Sequence, residues 1–524
     1  MFVLNFLCAV LATQPTDPAP AIGTAKGVVY EDKNRNGRRE PGERGIAGIV
    51  VSNQHQVVRT NSRGEWSLPH GEDTIFFVVK PRDWMTPVDA EQRPRFYYIH
   101  KPKGSPRGMR FKGVEPTGPL PASIDFALHR RPEPKSFAAL FFGDTQPRDE
   151  REVGYVARDI VEPLVKSGET FDFGVTLGDV VFDDLNVFEP LVKTISLLGI
   201  PWYYVLGNHD INFDAAQDEH SDETWERHFG PGYYSFDHGP VHFVVLDDVV
   251  WVGAENAKKE NADRNRGYYR AGLGRKQLEW LRNDLATVPS GKLVVLLMHI
   301  PIDEIAEKSE LYRLIAERPY ALSVSAHTHF QEHRFITEKD GWPKREPHHH
   351  VVNVTTCGSW WGGVPDARGV PITPMRDGAP HGYSIFRFDG HQYTIEYRAA
   401  RRPATYQIHV IAPDQISAEE VRGATFHANV FGGSARSKVE YSFAGGPWKP
   451  MAKAEEFDPW YQAAVTQNAN NRLPYRPLPP AVKSPHLWKA ELDRRVPPGV
   501  HPLHVRTTDM FGQTYMATRA VRVR

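Results

Sequence analysis

The chain has 524 residues, of which 40% are hydrophobic and 24% charged, and its formal net charge is -1. That length exceeds what one core sustains and calls for roughly two to four domains, while the composition is that of a soluble globular protein and excludes a disordered chain or a membrane bundle. A balanced charge argues against the positive field that nucleic-acid binding uses, so no nucleic acid is expected as a stable partner.

In chain order, residues 1–22 come first. Phe2 to Ala12 are apolar and lead into a Pro/Asp/Ala-rich stretch ending at Ala21, the pattern of a secretory signal. The apolar run is too short to span a bilayer as a helix. The expectation is an exported protein, periplasmic or extracellular, with no transmembrane segment in the mature chain. Of the two cysteines, Cys8 falls in this segment, which leaves Cys357 without a partner for an internal disulfide.

Residues 23–132 are predicted as an N-terminal β-sandwich, from short β-prone runs such as Gly27 to Tyr30, Ile49 to Val51 and Ile75 to Val79 set between turns. Within it, Asp32-x-Asn34-x-Asn36-Gly37 followed by Glu43 fits a twelve-position calcium loop, in which Arg38 contributes its carbonyl. No helical pattern flanks it. The two readings are a structural calcium site on a β-sandwich and a solvated Asn/Gly turn. Arg131-Pro132-Glu133-Pro134 reads as a charged, proline-rich linker.

Residues 133–400 alternate apolar runs with helical periodicity over Glu152 to Lys166, Arg275 to Val288 and Glu304 to Glu317. That is α/β punctuation. Residues 401–524 lose the helical pattern and return to short runs, including Val439 to Phe443 and Leu503 to Arg506, so a second β-sandwich is predicted. Asn468 to Pro485, polar and rich in Asn and Pro, reads as a long excursion. The fold class is multidomain α/β plus all-β, and the sequence specifies no oligomeric state.

In the central segment, apolar runs end in groups able to bind a cation. Phe137 to Phe142 ends at Gly143-Asp144-Thr145-Gln146, Phe171 to Leu177 at Gly178-Asp179, and Trp202 to Leu206 at Gly207-Asn208-His209-Asp210. Leu293 to Met298 leads into His299, and Ala321 to Ser325 into Ala326-His327-Thr328-His329. If the runs are strands, these loops converge on one sheet edge, where ligand sites of α/β proteins form. Oxygen donors (Asp144, Gln146, Asp179, Asn208) mixed with imidazoles (His299, His327, His329) suit Mn, Fe or Zn better than Ca. Two ions roughly 3.5–4 Å apart can clamp the attacking and departing oxygens of a phosphoryl displacement.

Asp144-x-Gln146, Gly178-Asp179 with Asp183 and Asp184 downstream, Gly207-Asn208-His209-Asp210, His299 and His327-x-His329 occur in the order of the calcineurin-like metallophosphoesterase motifs. The chain resembles the exported three-domain members of that family, with an α/β sandwich between two β-sandwiches. Cys357-Gly358-Ser359-Trp360-Trp361, Asp377 to Tyr383 and Thr508 to Gly512 resemble that group as well. The resemblance implies that Asp144, Gln146, Asp179 and His329 hold one ion and that Asp179, Asn208, His299 and His327 hold the second, with Asp179 shared. It implies hydrolysis of a phosphomonoester or phosphodiester, small or on a surface, by a hydroxide between the ions. His209 would protonate the leaving oxygen or stabilise developing charge, and Asp210 would orient its ring. Asp183 and Asp184 would stand behind the ligands.

Two positions depart from the family pattern. Gln146 stands where most members have His, and Ala326 where Gly is usual. Trp360 and Trp361 have two open readings, walling the substrate cleft or packing on the sheet, and His381 and Tyr383 are candidate phosphate contacts. His348-His349-His350, preceded by Pro347, is read as an exposed loop. The rival functions are a noncatalytic exported binding protein with a vestigial site, and a hydrolase of phosphonate esters or phosphotriesters.

Overall fold

A computed structural model of the protein describes residues 22–253, 269–469 and 474–524. The segment read as a signal lies, except for Ile22, outside the described residues. Among the described residues no helix is long and apolar enough to cross a membrane.

The first region is built from two four-stranded sheets. One runs Glu65–His70, Gly23–Glu31, Phe126–Arg130, Trp84–Met85, and the other Val57–Arg59, Val50–Ser52, Thr74–Val78, Tyr97–His100. Alternating residues of each sheet, among them Ala25, Val29, Trp66, Phe76 and Leu128, point into a shared core. Trp66 bridges the layers, with its ring 5.5 Å from Phe76 and 5.9 Å from Phe126.

The loop read as a calcium site closes on itself. Asp32 accepts the backbone N–H groups of Asn36 and Gly37, and Glu43 accepts those of Lys33 and Glu40. Asn34 and Asn36 give their amides to Glu40, and Asn36 Oδ1 takes the N–H of Arg38. All four carboxylate oxygens of Asp32 and Glu43 thus have amide partners, and the loop's shape is accounted for without an ion.

The stretch read as a linker is an anchor. Glu133 is buried, pairs with the buried Lys80 ammonium and accepts the N–H of Gly239 at 2.8 Å. Phe77 packs on Trp280 and Phe96 on Tyr234, so apolar contacts also join the first region to the second.

The central region stacks two sheets. The first has the order Trp202–Val205, Phe173–Leu177, Ser136–Phe142, Gly382–Asp389, Gln392–Ala399, and its first three strands are parallel. The second has the order Tyr234–His238, Val241–Val245, Leu293–Leu297, Ala321–Ser325, His348–Val352, Glu332–Ile336, and its middle four strands are parallel. Both faces of the parallel strands are covered, which is why they read as unbroken apolar runs rather than alternating ones. Phe137, Ala139 and Phe141 face the partner sheet, while Ala138, Leu140 and Phe142 face the helical layer. Across the sheets Phe173 meets Phe243 at 5.2 Å.

Helices cover the outside. Asp149 caps Glu150–Val156 by accepting the N–H of Glu152, a wider π turn over Ala157–Val161 follows, and Glu162–Ser167 ends at Gly168 with φ 69°. Gly274–Thr287 and Lys308–Ala316 pack on the second sheet through Leu278, Leu281, Leu311 and Ile315. The periodicity over Glu304 to Glu317 thus becomes helix only from Lys308.

The His348 run corrects the sequence reading. It opens the strand His348–Val352, all three histidines are buried, and the strand lies between Ala321–Ser325 and Glu332–Ile336. Pro347 precedes the strand, where a missing N–H interrupts no ladder. The rings find partners inside the sheet. Ser323 Oγ meets His348 Nε2 and His350 Nδ1 at 2.8 Å each, and Ser325 Oγ meets His350 Nε2 at 2.9 Å. His349 lies between His333 and the Tyr393 hydroxyl. Burial pushes His348 down to about 3 and His350 well below the usual imidazole range, so these rings stay neutral.

The last region pairs the sheet Ile408–Ile411, Thr425–Val430, Leu487–Glu491, Ala452–Ala454 with the sheet Gln415–Ile416, Thr514–Val523, Gly499–Thr508, Lys438–Phe443, Lys449–Pro450. Phe426 of one meets Tyr441 of the other at 5.1 Å over a core of Val410, Val439, Leu503 and Val521. One helix, Pro459–Ala469, departs from the all-β expectation. Its buried contact, Tyr461, makes no repeating apolar stripe, which is why periodicity missed it.

Candidate metal centre

All five ligand-bearing loops follow the C-terminal ends of parallel strands, and the two sheets bring those ends together. Gly143 bridges to Thr355, the N–H of Gln146 reaches the carbonyl of Asp179 at 3.1 Å, and His299 Nδ1 reaches the carbonyl of Leu177 at 2.9 Å. The turns are tight. Of fifteen non-glycine residues with positive φ among those described, eight lie here, namely Asp144, Gln146, Asp179, Asp183, His327, His329, Trp360 and Trp361. Backbone held in that region clusters where a site over-determines it. Two glycines permit the close approach: a Cβ at Gly178 would stand 2.4 Å from His299 Nδ1, and one at Gly207 would stand 2.0 Å from the Asp179 nitrogen.

Two groups of side chains share Asp179. Ligand atoms of Asp179, His299 and His327 lie within 4.8 Å of one another, as do those of Asp144, Asp179 and His329. His299 Nε2 is 3.2 Å from Asp179 Oδ1, 3.1 Å from Asn208 Oδ1 and 3.1 Å from His327 Nδ1. His329 Nε2 is 3.8 Å from Asp144 Oδ1. Backbone carbonyls take the Nδ1–H of His299 and of His329, at Leu177 and at Gly358, which turns each Nε2 toward the carboxylates. Ring nitrogens and carboxylate oxygens therefore converge on common points, an arrangement able to hold a cation.

The charge balance agrees. Burial drives Asp144 up to about 8, against the pull of His299 and with the push of Asp179. Burial would also raise Asp179, but His299 and His209 hold it below the ordinary carboxylate range. Burial lowers His299, yet Asp179 overrides it and carries it up to about 10. Burial brings His327 and His329 down to about 3, so both rings are neutral donors. Asp144, which no imidazolium balances, is thus driven toward its neutral form, the response of a buried carboxylate without a facing cation such as a metal ion would supply.

Gln146 differs from the reading above. Its Nε2 donates to Asp179 Oδ2 at 2.7 Å, and its Oε1, the atom able to bind a metal, faces the buried Cys357 thiol at 3.5 Å. An acceptor-only carboxylate attracts the N–H end of the amide.

The pairing of His209 is corrected too. Its Nδ1 lies 2.6 Å from Asp183 Oδ1, and Phe182 stacks on the ring at 4.4 Å. Asp210 instead accepts the N–H groups of Gly207, Val180 and Val181, which ties two ligand loops together. Burial would lower His209, but Asp179 and then Asp183 hold it above the ordinary imidazole range. Asp184 faces away and caps the turn Leu185–Val187.

The two tryptophans separate. Trp360 stacks on His329 at 3.9 Å, whereas Trp361 is buried, donates its Nε1–H to the carbonyl of Thr145 and meets Tyr155. His381 is buried, with its Nδ1 on the carbonyl of Thr356 and its Nε2 3.5 Å from the buried Asp159 carboxylate. Tyr383 packs at a tilt against Phe142. Two contributors escaped the sequence reading. Asp248 accepts the N–H groups of His299 and Ile300, and Phe182 braces His209. Asp248 follows the strand Val241–Val245, so the strand-end signal that found the ligands was present there.

Three family models match. They are the N terminal of calcineurin-like phosphoesterase over residues 33–116, calcineurin-like phosphoesterase over 138–331, and the C terminal of calcineurin-like phosphoesterase over 350–515. Human tartrate-resistant acid phosphatase type 5 is 26% identical over 193 residues, 32% of this chain and 58% of that protein. A probable glycerophosphodiester phosphodiesterase GpdQ of Arcobacter nitrofigilis is 24% identical over 132 residues, 25% of this chain and 42% of that one. The chain spans about half the length of the curated relatives it matches. The solved purple acid phosphatase PPD1 from yellow lupin (Lupinus luteus) seeds aligns over 68% of this chain and 69% of its own, with 12% identity and a TM-score of 0.36. The three models fall in order along one chain and together span its first, central and last regions, and the chain belongs to the calcineurin-like phosphoesterases.

Proposed function

We propose that the chain hydrolyses phosphate esters at a centre of two transition-metal ions. The observation that carries the reading is the sharing of Asp179 between two ligand groups. Asp144, Asp179 and His329 would hold one ion, and Asp179, Asn208, His299 and His327 the other. Gln146 would join the first by turning its amide so that Oε1 replaces Nε2. Mixed oxygen and imidazole donors suit Mn, Fe or Zn. Such ions, when bound, supply Lewis acidity toward a phosphoryl group and toward water.

The chain's own residues supply the rest. His209 is tied to Asp183 through Nδ1, so its Nε2, 4.0 Å from Asp179 Oδ2, is the atom that would hold a proton and pass it to the departing ester oxygen. Phe182 fixes the plane of that ring. Trp360, partly exposed and stacked on His329, would limit water on that side of the cleft. The relatives' names include a phosphatase and a phosphodiesterase, so both ester classes belong in the test. Export belongs to the proposal through the apolar run Phe2 to Ala12. N-terminal sequencing of protein recovered outside the cytoplasm checks it, and an intact Met1 there would contradict cleavage.

The main experiment loads the purified chain with Mn, Fe or Zn and assays p-nitrophenyl phosphate, bis(p-nitrophenyl) phosphate and a phosphonate ester. Turnover of at least one phosphate ester is expected. Retained ions without turnover across the panel would replace this reading with a binding protein.

A further inference from the structure

Residues 476–482, in the Asn- and Pro-rich excursion of the C-terminal domain, are docked on the loops of the metal centre. Gly363 donates its N–H to the carbonyl of Arg476 at 2.8 Å, and Tyr461 donates its hydroxyl to the carbonyl of Pro479 at 3.1 Å. Arg376 donates Nε–H to Pro480 and accepts the N–H of Val482 at its own carbonyl, while Leu478 is buried. A long loop pinned this way in a compact domain is usually a functional one. Its consequence is that Arg476 arrives beside Arg148.

The two guanidiniums share their partners. Arg148 Nη1 and Arg476 Nη1 both donate to the carbonyl oxygen of Trp360, at 3.0 and 2.6 Å. The buried Glu152 carboxylate stands 3.4 Å from one and 3.5 Å from the other. One carboxylate facing two cations leaves an excess positive charge. The pair also sits between two members of the centre. Arg148 lies 4.0 Å over Phe182, whose ring stacks on His209, and Trp360, which accepts from both arginines, stacks on His329.

We infer that Arg148 and Arg476 form an anion subsite at the mouth of the metal centre, and that the substrate is a phosphate ester bearing a second anionic group, phosphate or carboxylate. The inference rests on the hydrolase reading above for the fate of the first group. Paired guanidiniums present planar forks that match either anion. The C-terminal domain thereby contributes specificity through Arg476.

The test compares wild type, Arg476→Ala and Arg476→Lys, metal-loaded, on matched pairs: fructose 1,6-bisphosphate with fructose 6-phosphate, and 3-phosphoglycerate with glycerol 3-phosphate. Wild type is expected to favour the doubly anionic member of at least one pair by about tenfold in kcat/KM, and that pair identifies the second anion. Arg476→Ala should shrink the preference by about tenfold through KM, and Arg476→Lys should keep most of it. No preference in wild type, or equal losses on both members of each pair, overturns the subsite. If none of these esters, nor p-nitrophenyl phosphate, nor bis(p-nitrophenyl) phosphate turns over, the hydrolase reading falls, and calorimetry decides the subsite alone. Methylenediphosphonate binding about tenfold tighter than methylphosphonate, in a manner lost in Arg476→Ala, supports it, and equal affinities overturn it.

Discussion

Two groups of histidines in the same central region have opposite fates. His299, His327 and His329 stand in loops after strands. In His299 and His329 a backbone carbonyl takes one ring nitrogen and the other turns toward carboxylates. His348, His349 and His350 stand within a strand, and their rings meet hydroxyls or another imidazole. A ring whose neighbours can donate or accept as needed is complete as a neutral group. Rings whose second nitrogens converge with carboxylates on common points, as those of His299, His327 and His329 do, can hold a cation there. The neighbours, and not the count of histidines, separate a ligand from a core residue.

The largest test of that contrast is Asp179→Asn. Losing the carboxylate shared by both groups is expected to strip bound metal and lower turnover by more than about 1000-fold, since disturbing even outer partners of a metal site costs 10–100-fold. Metal analysis beside kinetics checks it, and ions retained at full stoichiometry would contradict the sharing. His350→Ala should do the reverse. It leaves the hydroxyls of Ser323 and Ser325 short of a partner in a buried sheet and is expected to cost about 3 kcal/mol in denaturant unfolding, with metal stoichiometry unchanged.

His242 sharpens the contrast as a third kind of ring. It lies between Asp237 and Asp284, at 2.8 Å from each, and although burial lowers it, Asp284 and Asp237 carry it up to about 9. A group raised above its unfolded value stabilises fully below about 6.5 and loses that contribution as pH rises through about 9, a difference of at most about 3 kcal/mol. The stability gap between wild type and His242→Gln should therefore narrow across that window in pH-dependent unfolding. A constant gap would mean the ring is not protonated. The smallest effect is expected of Asp183→Asn, which keeps an acceptor for His209 Nδ1 but removes the charge. A fall in kcat of about tenfold with unchanged metal content is expected, and a change in metal content instead would make Asp183 part of the ion site.

Much of the site was legible because its ligands are punctuation. Asp144, Asp179, Asn208, His299, His327 and His329 each end an apolar run, and the order of those endings survives in one dimension. The strands were legible for the same reason, since burial on both faces leaves no polar residue to interrupt Leu293 to Leu297. What sequence reading missed depends on the partner across space. Whether Asp183 or Asp210 holds His209 is decided by how their two loops meet, which sends Asp210 to three backbone amides. Gln146 turned its nitrogen inward because Asp179 accepts only. Trp360 and Trp361 are adjacent and chemically alike, yet one meets His329 and the other Thr145.

By itself, the sequence determined that apolar runs end in groups able to bind a cation, because hydrophobic patterning and residue type are local properties of the chain. Tertiary structure alone decided which polar groups meet: that His348 and His350 are buried against serines, that Glu133 is an anchor, and that Arg476 reaches Arg148. Each of those contacts joins residues far apart in the chain or on separate elements, and the strength of a hydrogen bond or a charge pair is set by distance and burial, which only the folded chain supplies.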